Sequence, residues 1–165
     1  MNRLTVICLV AAMFCLVWQL TTAPAWAQND LNGAWKIVEV SGYEADGTPF
    51  KIENIQPSLF LFQNGYYSIT LVSGNEARPL EPEGATREEL TAELAAAIWI
   101  PFVSNAGTYE VSGSTLKVTP MVALSPAFME GGSMTYTYKV EKDMLTMSGE
   151  QPDGTKVTNK LKRLQ

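Results

Sequence analysis

Polar and apolar residues alternate along most of this chain. In Met134-Thr135-Tyr136-Thr137-Tyr138-Lys139-Val140 the even positions are large and apolar, while Thr135, Thr137 and Lys139 are polar. That period of two is the signature of a strand with one buried face. The same rule points Tyr67, Ile69 and Leu71 inward from 66–72, Tyr109 and Val111 from 107–112, and Leu116 and Val118 from 115–124. In the last run, 156–164, Val157, Asn159, Leu161 and Arg163 share one face, opposite Lys156, Thr158, Lys160 and Lys162. Runs at 34–40, 58–63 and 144–150 bring the count to eight strands. Leu59-Phe60-Leu61-Phe62 is apolar on both faces, so one face is expected to pack beneath another element.

Turn residues separate these runs. Asn64-Gly65 between two aromatic-rich runs predicts a tight hairpin, because both central residues of a primed turn need positive φ. Gly113-Ser114, Lys142-Asp143 and Gln151-Pro152-Asp153-Gly154 mark further turns, and Pro120 inside a strand run marks a bulge or an edge. The interval after the third strand differs. Residues 74–84 read as loop, and Thr86 with Glu89 forms a capping box that predicts a helix over 86–97. Leu90, Leu94, Ala97 and Ile98 fall on one face of it, and Pro101 ends it. Consecutive hairpins imply an all-β fold: an eight-stranded antiparallel up-and-down β-barrel with one helix inserted after the third strand. A two-sheet sandwich satisfies the same periodicity.

Residues 1–27 read as a cleaved signal peptide. Arg3 supplies the positive start, 4–20 is an apolar run, and Ala25-Trp26-Ala27 offers small residues for cleavage after Ala27. This predicts a periplasmic or secreted protein with no stable membrane insertion after cleavage, its domain spanning 28–165. Both cysteines, Cys8 and Cys15, lie in the leader, so the mature chain holds no disulfide. The leader also takes one of the 12 basic residues, leaving 11 against 17 acidic ones, a net charge of 11 − 17 = −6. An acidic chain lacks the basic face that nucleic acid requires. Histidine is absent. Without it or a mature cysteine, the chain cannot assemble Ser-His-Asp or Cys-His catalysis, or a zinc site of nitrogen and sulfur ligands. No metal ligands, catalytic residues or cofactor are therefore assigned.

Polar groups on the inward face are the candidate ligand contacts: Glu39, Tyr67, Tyr109, Tyr136, Tyr138 and Asn159. Tyrosines also fill cores with no ligand present. Glu39 follows Trp35 and Ile37 by strict alternation, and a bulge in the first strand would turn it out to water. Trp99 and Phe102, beside the helix, are candidates for the barrel rim.

Gly33-Ala34-Trp35 at the head of the first strand resembles the G-x-W motif of lipocalins and related calycins. Over the mature chain the sequence resembles the bacterial lipocalin-like domain, through this motif, Gln56-Pro57-Ser58-Leu59-Phe60-Leu61-Phe62, Asn64-Gly65-Tyr66-Tyr67-Ser68 and Asn105-Ala106-Gly107-Thr108-Tyr109-Glu110-Val111. The resemblance implies that Gly33, Trp35 and Arg163 are a structural signature, with Arg163 stacking on the tryptophan. It also implies a lumen for a small hydrophobic molecule. Two departures are the missing disulfides and a helix that interrupts the strands.

Three functions fit this reading. One is an exported carrier of a small hydrophobic ligand. Another is a lipid or polyene isomerase, cyclase or hydratase that pairs a buried Glu39 with Tyr109 or Tyr138. The last is a protein-binding barrel, an inhibitor or envelope factor, acting through rim loops that carry Pro79, Pro82, Pro126, Phe128 and Met129. The balance favours a binder over an enzyme, with the oligomeric state left open.

Overall fold

The computed structural model describes residues 30–165, and the leader read at 1–27 lies outside the described residues. The chain runs through β1 (Gly33–Tyr43), β2 (Pro49–Ile52), β3 (Ser58–Gln63) and β4 (Tyr66–Val72). A 3-10 turn (Arg87–Glu89) and α1 (Ala92–Trp99) follow, then β5 (Phe102–Ser112), β6 (Thr115–Ala123) and α2 (Pro126–Met129). β7 (Met134–Glu141), β8 (Met144–Glu150) and β9 (Lys156–Arg163) complete it.

Neighbouring strands pair antiparallel, and β9 returns to β1 from Trp35↔Arg163 to Tyr43↔Lys156. That closing seam makes a barrel and removes the sandwich alternative. β2 lies along 40–43 of β1 and β3 along 33–35, so these two short strands share one stave and the closed barrel has eight. Closure through β1 and β9 removes the edges of the long strands, and the short β2 keeps one unpaired edge. The predicted hairpin forms as expected, with Asn64 and Gly65 at φ of 49° and 84°.

Two bulges change which residues face inward. The β1–β9 register slips between Ile37 and Glu39, so the inward series passes from Trp35 and Ile37 to Val40. In β6 the register against β5 slips opposite Ala106/Gly107, where Gly107 pairs with Pro120 and Ala106 with Val122. Pro120 thus sits at a bulge and not at an edge, as its missing N–H allows.

The helical segment differs from expectation. Thr86 and Glu89 do engage, the Glu89 carboxylate accepting from the Thr86 backbone N–H at 2.8 Å, but they close only the 3-10 turn. The helix starts later, at the Thr91 cap, whose Oγ1 accepts from the Leu94 N–H at 3.2 Å. α1 packs beside the 73–81 segment rather than over β3. Arg78 donates to the Ile98 carbonyl at 3.4 Å and lies 4.8 Å from the Phe102 ring, while Ser73 donates to the Pro101 carbonyl. Leu59 and Leu61 consequently remain exposed on the outer face of β3.

One end of the barrel is plugged. The turns at Asn64-Gly65, Gly113-Ser114 and Lys142-Asp143 lie there, as does the chain preceding β1. Arg163 stacks 3.9 Å above the Trp35 ring, donates to the Asp30 carbonyl at 2.7 Å and also donates to the Asn32 carbonyl. The Trp35 indole N–H donates to the Leu31 carbonyl at 2.8 Å, and Leu31 and Trp35 are fully buried. Gly33 makes room for the guanidinium: a Cβ there, at φ 136°, would stand 2.6 Å from Nη1 of Arg163. Phe62, Leu116, Tyr138, Leu145 and Leu161 continue the core.

Candidate functional site

The opposite end is open. There the inward side chains of the staves enclose a cavity of about 550 Å³. Its deep wall is apolar, built from Phe60, Ile69, Val118, Met134 and Met147, because the alternation of β3, β4, β6, β7 and β8 sends these residues inward. Phe50 and Ile52 of β2 and Phe128 of α2 stand at the mouth. The polar contributors are Tyr136, Asn105 and Asn159, with Gln56, Gln151 and Glu150 also in the lining. Glu150 is the one charged residue lining the cavity among the described residues.

Tyr136 lies between wall and core. Its hydroxyl donates to the Met134 thioether at 3.4 Å, and burial, reinforced by Tyr67, pushes its pKa up to about 12. Its ring lies over Gly149, where an added Cβ would sit 3.0 Å from Cδ1. The glycine thus sets how far the phenol projects into the cavity. Tyr67, on the inward face of β4, is 3% exposed, and its hydroxyl has no hydrogen-bond partner among the described residues. Burial raises its pKa to about 12.

Of the other residues singled out from the sequence, Asn159 lines the cavity. Tyr109 belongs to the plug: its hydroxyl donates to Asn32 Oδ1 at 3.2 Å, and its ring meets Phe62 edge-on at 5.4 Å. Tyr138 is buried in the core, where burial, then Asp30 and Tyr109, raises its pKa. Neither Tyr109 nor Tyr138 contributes to the cavity wall.

Glu39 is a correction. The β1 bulge turns it onto the outer face, where Lys160 meets it at 2.7 Å and Lys51 at 3.9 Å. The hydrogen bond from Lys160 holds its carboxyl below the usual carboxylate range. The buried acid–tyrosine pair required for the isomerase, cyclase or hydratase chemistry is therefore not assembled. Trp99 and Phe102, the rim candidates, meet edge-on at 6.4 Å and lie outside the cavity lining.

Sequence reasoning missed Asn105, Phe50 and Ile52, whereas Phe128, read there as a rim-loop residue, stands in the cavity lining. Phe50-Lys51-Ile52 does carry the alternating signal, but over four residues that begin at a proline. Asn105 lies in the part of β5 before Gly107, the residue at which the period-two pattern becomes clear. Two shallower grooves, of about 450 and 540 Å³, flank the 73–81 segment and α1. They are surface clefts formed by that segment, separate from the barrel interior.

No family model matches the chain, and no curated protein matches it. Solved structures do. An uncharacterized protein from Bacteroides eggerthii aligns at 12% identity and a TM-score of 0.43, over 81% of this chain and 99% of its own. A redesigned β-barrel aligns at 16% identity and 0.41, over 84% and 96%. A de novo designed fluorescence-activating β-barrel aligns at 14% identity and 0.40, over 84% and 97%.

Proposed function

We propose that this protein is an exported, lipocalin-like carrier that holds a small hydrophobic molecule in the open half of its barrel. The observation that carries this reading is the cavity. At about 550 Å³ it falls within the roughly 300–1,000 Å³ typical of ligand pockets, with mostly apolar walls and a few convergent polar groups. The plugged end supports it: the stacked Trp35 and Arg163 close the floor, so a molecule can enter only from the mouth. The Gly33-Ala34-Trp35 motif and its arginine give the resemblance to lipocalins a physical counterpart. Export rests on the leader sequence at 1–27.

Native mass spectrometry of the protein purified from its own envelope fraction, with extraction of any added mass, tests the reading. The expected result is one lipophilic adduct per chain. A bare mass together with no uptake of neutral fluorescent lipophiles would overturn it. A second reading, a barrel that binds protein through its rim, draws on the exposed Met121, Val122, Leu124 and Met129 at the end of β6 and in α2. The bare-mass outcome would direct attention to that surface.

A further inference from the structure

We infer that the cavity takes a lipophile whose hydrogen-bonding group, a ketone or hydroxyl, lies midway along its skeleton, and that the amides of Asn105 and Asn159 hold that group from opposite walls. This inference rests on the carrier reading and assigns its ligand class.

Both asparagines face the lumen. Alternation along β5 from Tyr109 and along β9 from Leu161 carries their side chains inward, and both line the cavity. Three staves separate β5 from β9 on either side, so the two amides face one another across the barrel. An eight-stranded barrel is just wide enough to hold one small ligand, so a molecule in the lumen lies between them. Their heights match. The pairing runs from Asn105 through Ile69, Phe60 and Trp35 to Arg163, four steps that end in the plug. Four steps between strands about 4.8 Å apart, on strands tilted by about 35–45°, descend about 11–14 Å. Asn159 stands four residues above Arg163 on β9, a climb of about 9–11 Å at that tilt.

Neither amide has a hydrogen-bond partner among the described residues, and each offers a donor and an acceptor. Their surroundings are apolar. Toward the mouth, Val103 and Val157 are the next inward residues on the same two strands. Toward the floor, Phe60 and Val118, the latter paired with Tyr109 of the plug, continue the apolar wall. Elsewhere in the lining, Gln56 donates to the Asn54 carbonyl at 3.2 Å and Tyr136 to the Met134 thioether. A lipophile that fills the lumen therefore meets open hydrogen-bonding groups at mid-height, with apolar walls around both of its ends. A polar group at the end of the skeleton reaches the amides only if the remainder is crowded against the floor or pushed out of the mouth. A group at the middle meets them with both halves buried.

The test displaces a neutral solvatochromic dye from the purified protein with three compounds of one medium chain length: the alkane, its methyl ketone and its mid-chain ketone. The mid-chain ketone is expected to bind roughly fivefold more tightly than either of the others, the worth of one hydrogen bond. Asn105→Leu combined with Asn159→Leu should bring the ratio of mid-chain to methyl ketone affinity to about one. A methyl ketone that binds the parent as tightly as the mid-chain ketone, or an undiminished ratio in the folded double variant, overturns the inference and leaves the carrier reading standing. Failure of the dye and of all three compounds to bind removes the carrier reading itself. Should the double variant misfold, the parent's ratio decides, and a value near one overturns the inference.

Discussion

Arg163 joins three stretches of chain. Its guanidinium stacks on Trp35 of the first strand, its backbone ends the last strand, and its N–H groups donate to the carbonyls of Asp30 and Asn32 ahead of β1. Arg163→Ala is expected to lower stability by about 2–4 kcal/mol, read from urea unfolding; this is less than the full worth of one cation–π contact and two charge-assisted hydrogen bonds, because the guanidinium is partly exposed. Arg163→Lys should recover less than half of that, since an ammonium cannot both stack and reach two carbonyls. Unchanged stability in Arg163→Ala would show that the plug is not held by this side chain. This pairing was legible only through a family resemblance, which implied an arginine of the last strand against the tryptophan of the first. Glu39 was not legible. A bulge inserts one residue, and no residue type around Val38 announces it.

At the scale of elements, the strands carry the stability and the helix stands apart. α1 begins at the Thr91 cap and packs on the 73–81 segment through Ile98, while β1 pairs with β2, β3 and β9, β2 pairs with β1, and each remaining strand pairs with two neighbours. Thr91→Ala is expected to weaken α1 by about 1 kcal/mol, the usual worth of an N-cap. Amide exchange should quicken within 92–99, while the global unfolding free energy stays within about 0.5 kcal/mol of the parent. A drop in global stability equal to the local loss would mean that helix and barrel unfold as one unit. The capping box at Thr86 predicted a start five residues ahead of the one that forms, at Thr91. Local pattern could not choose between them, because both threonines find a partner and only packing decides which turn propagates.

For the molecule as a whole, closure of the sheet around buried phenols makes stability sensitive to alkaline pH. Tyr67 and Tyr136 have folded-state values of about 12, against 10.0 for the free phenol, because burial disfavours the phenolate. The unfolded chain therefore releases these protons first as pH rises. The stabilisation is complete below pH 10 and is lost progressively as pH climbs from 10 to 12. The urea midpoint should hold steady up to about pH 9 and fall by about pH 11, and Tyr67→Phe combined with Tyr136→Phe should flatten that fall. A midpoint indifferent to pH across this window would mean that neither phenol is buried as described.

A family resemblance implied the stacking of Arg163 on Trp35, while alternation and turn chemistry in the sequence already determined most of the strands, their inward faces away from the bulges and the hairpin at Asn64-Gly65. The strands, faces and hairpin follow from period-two patterning and local backbone preference, which act over a few residues and are written in residue type. Only the tertiary structure decided that the sheet closes through β1 and β9, that two bulges redirect Glu39 and the end of β6, and that β2 completes a stave. It also separated the tyrosines, placing Tyr109 in the plug, Tyr138 in the core, Tyr136 on the cavity wall and Tyr67 beyond it. The physical reason is depth. Alternation tells which face of a sheet a side chain occupies, but its height along the barrel axis depends on strand tilt and register, and these arise only when distant strands pair.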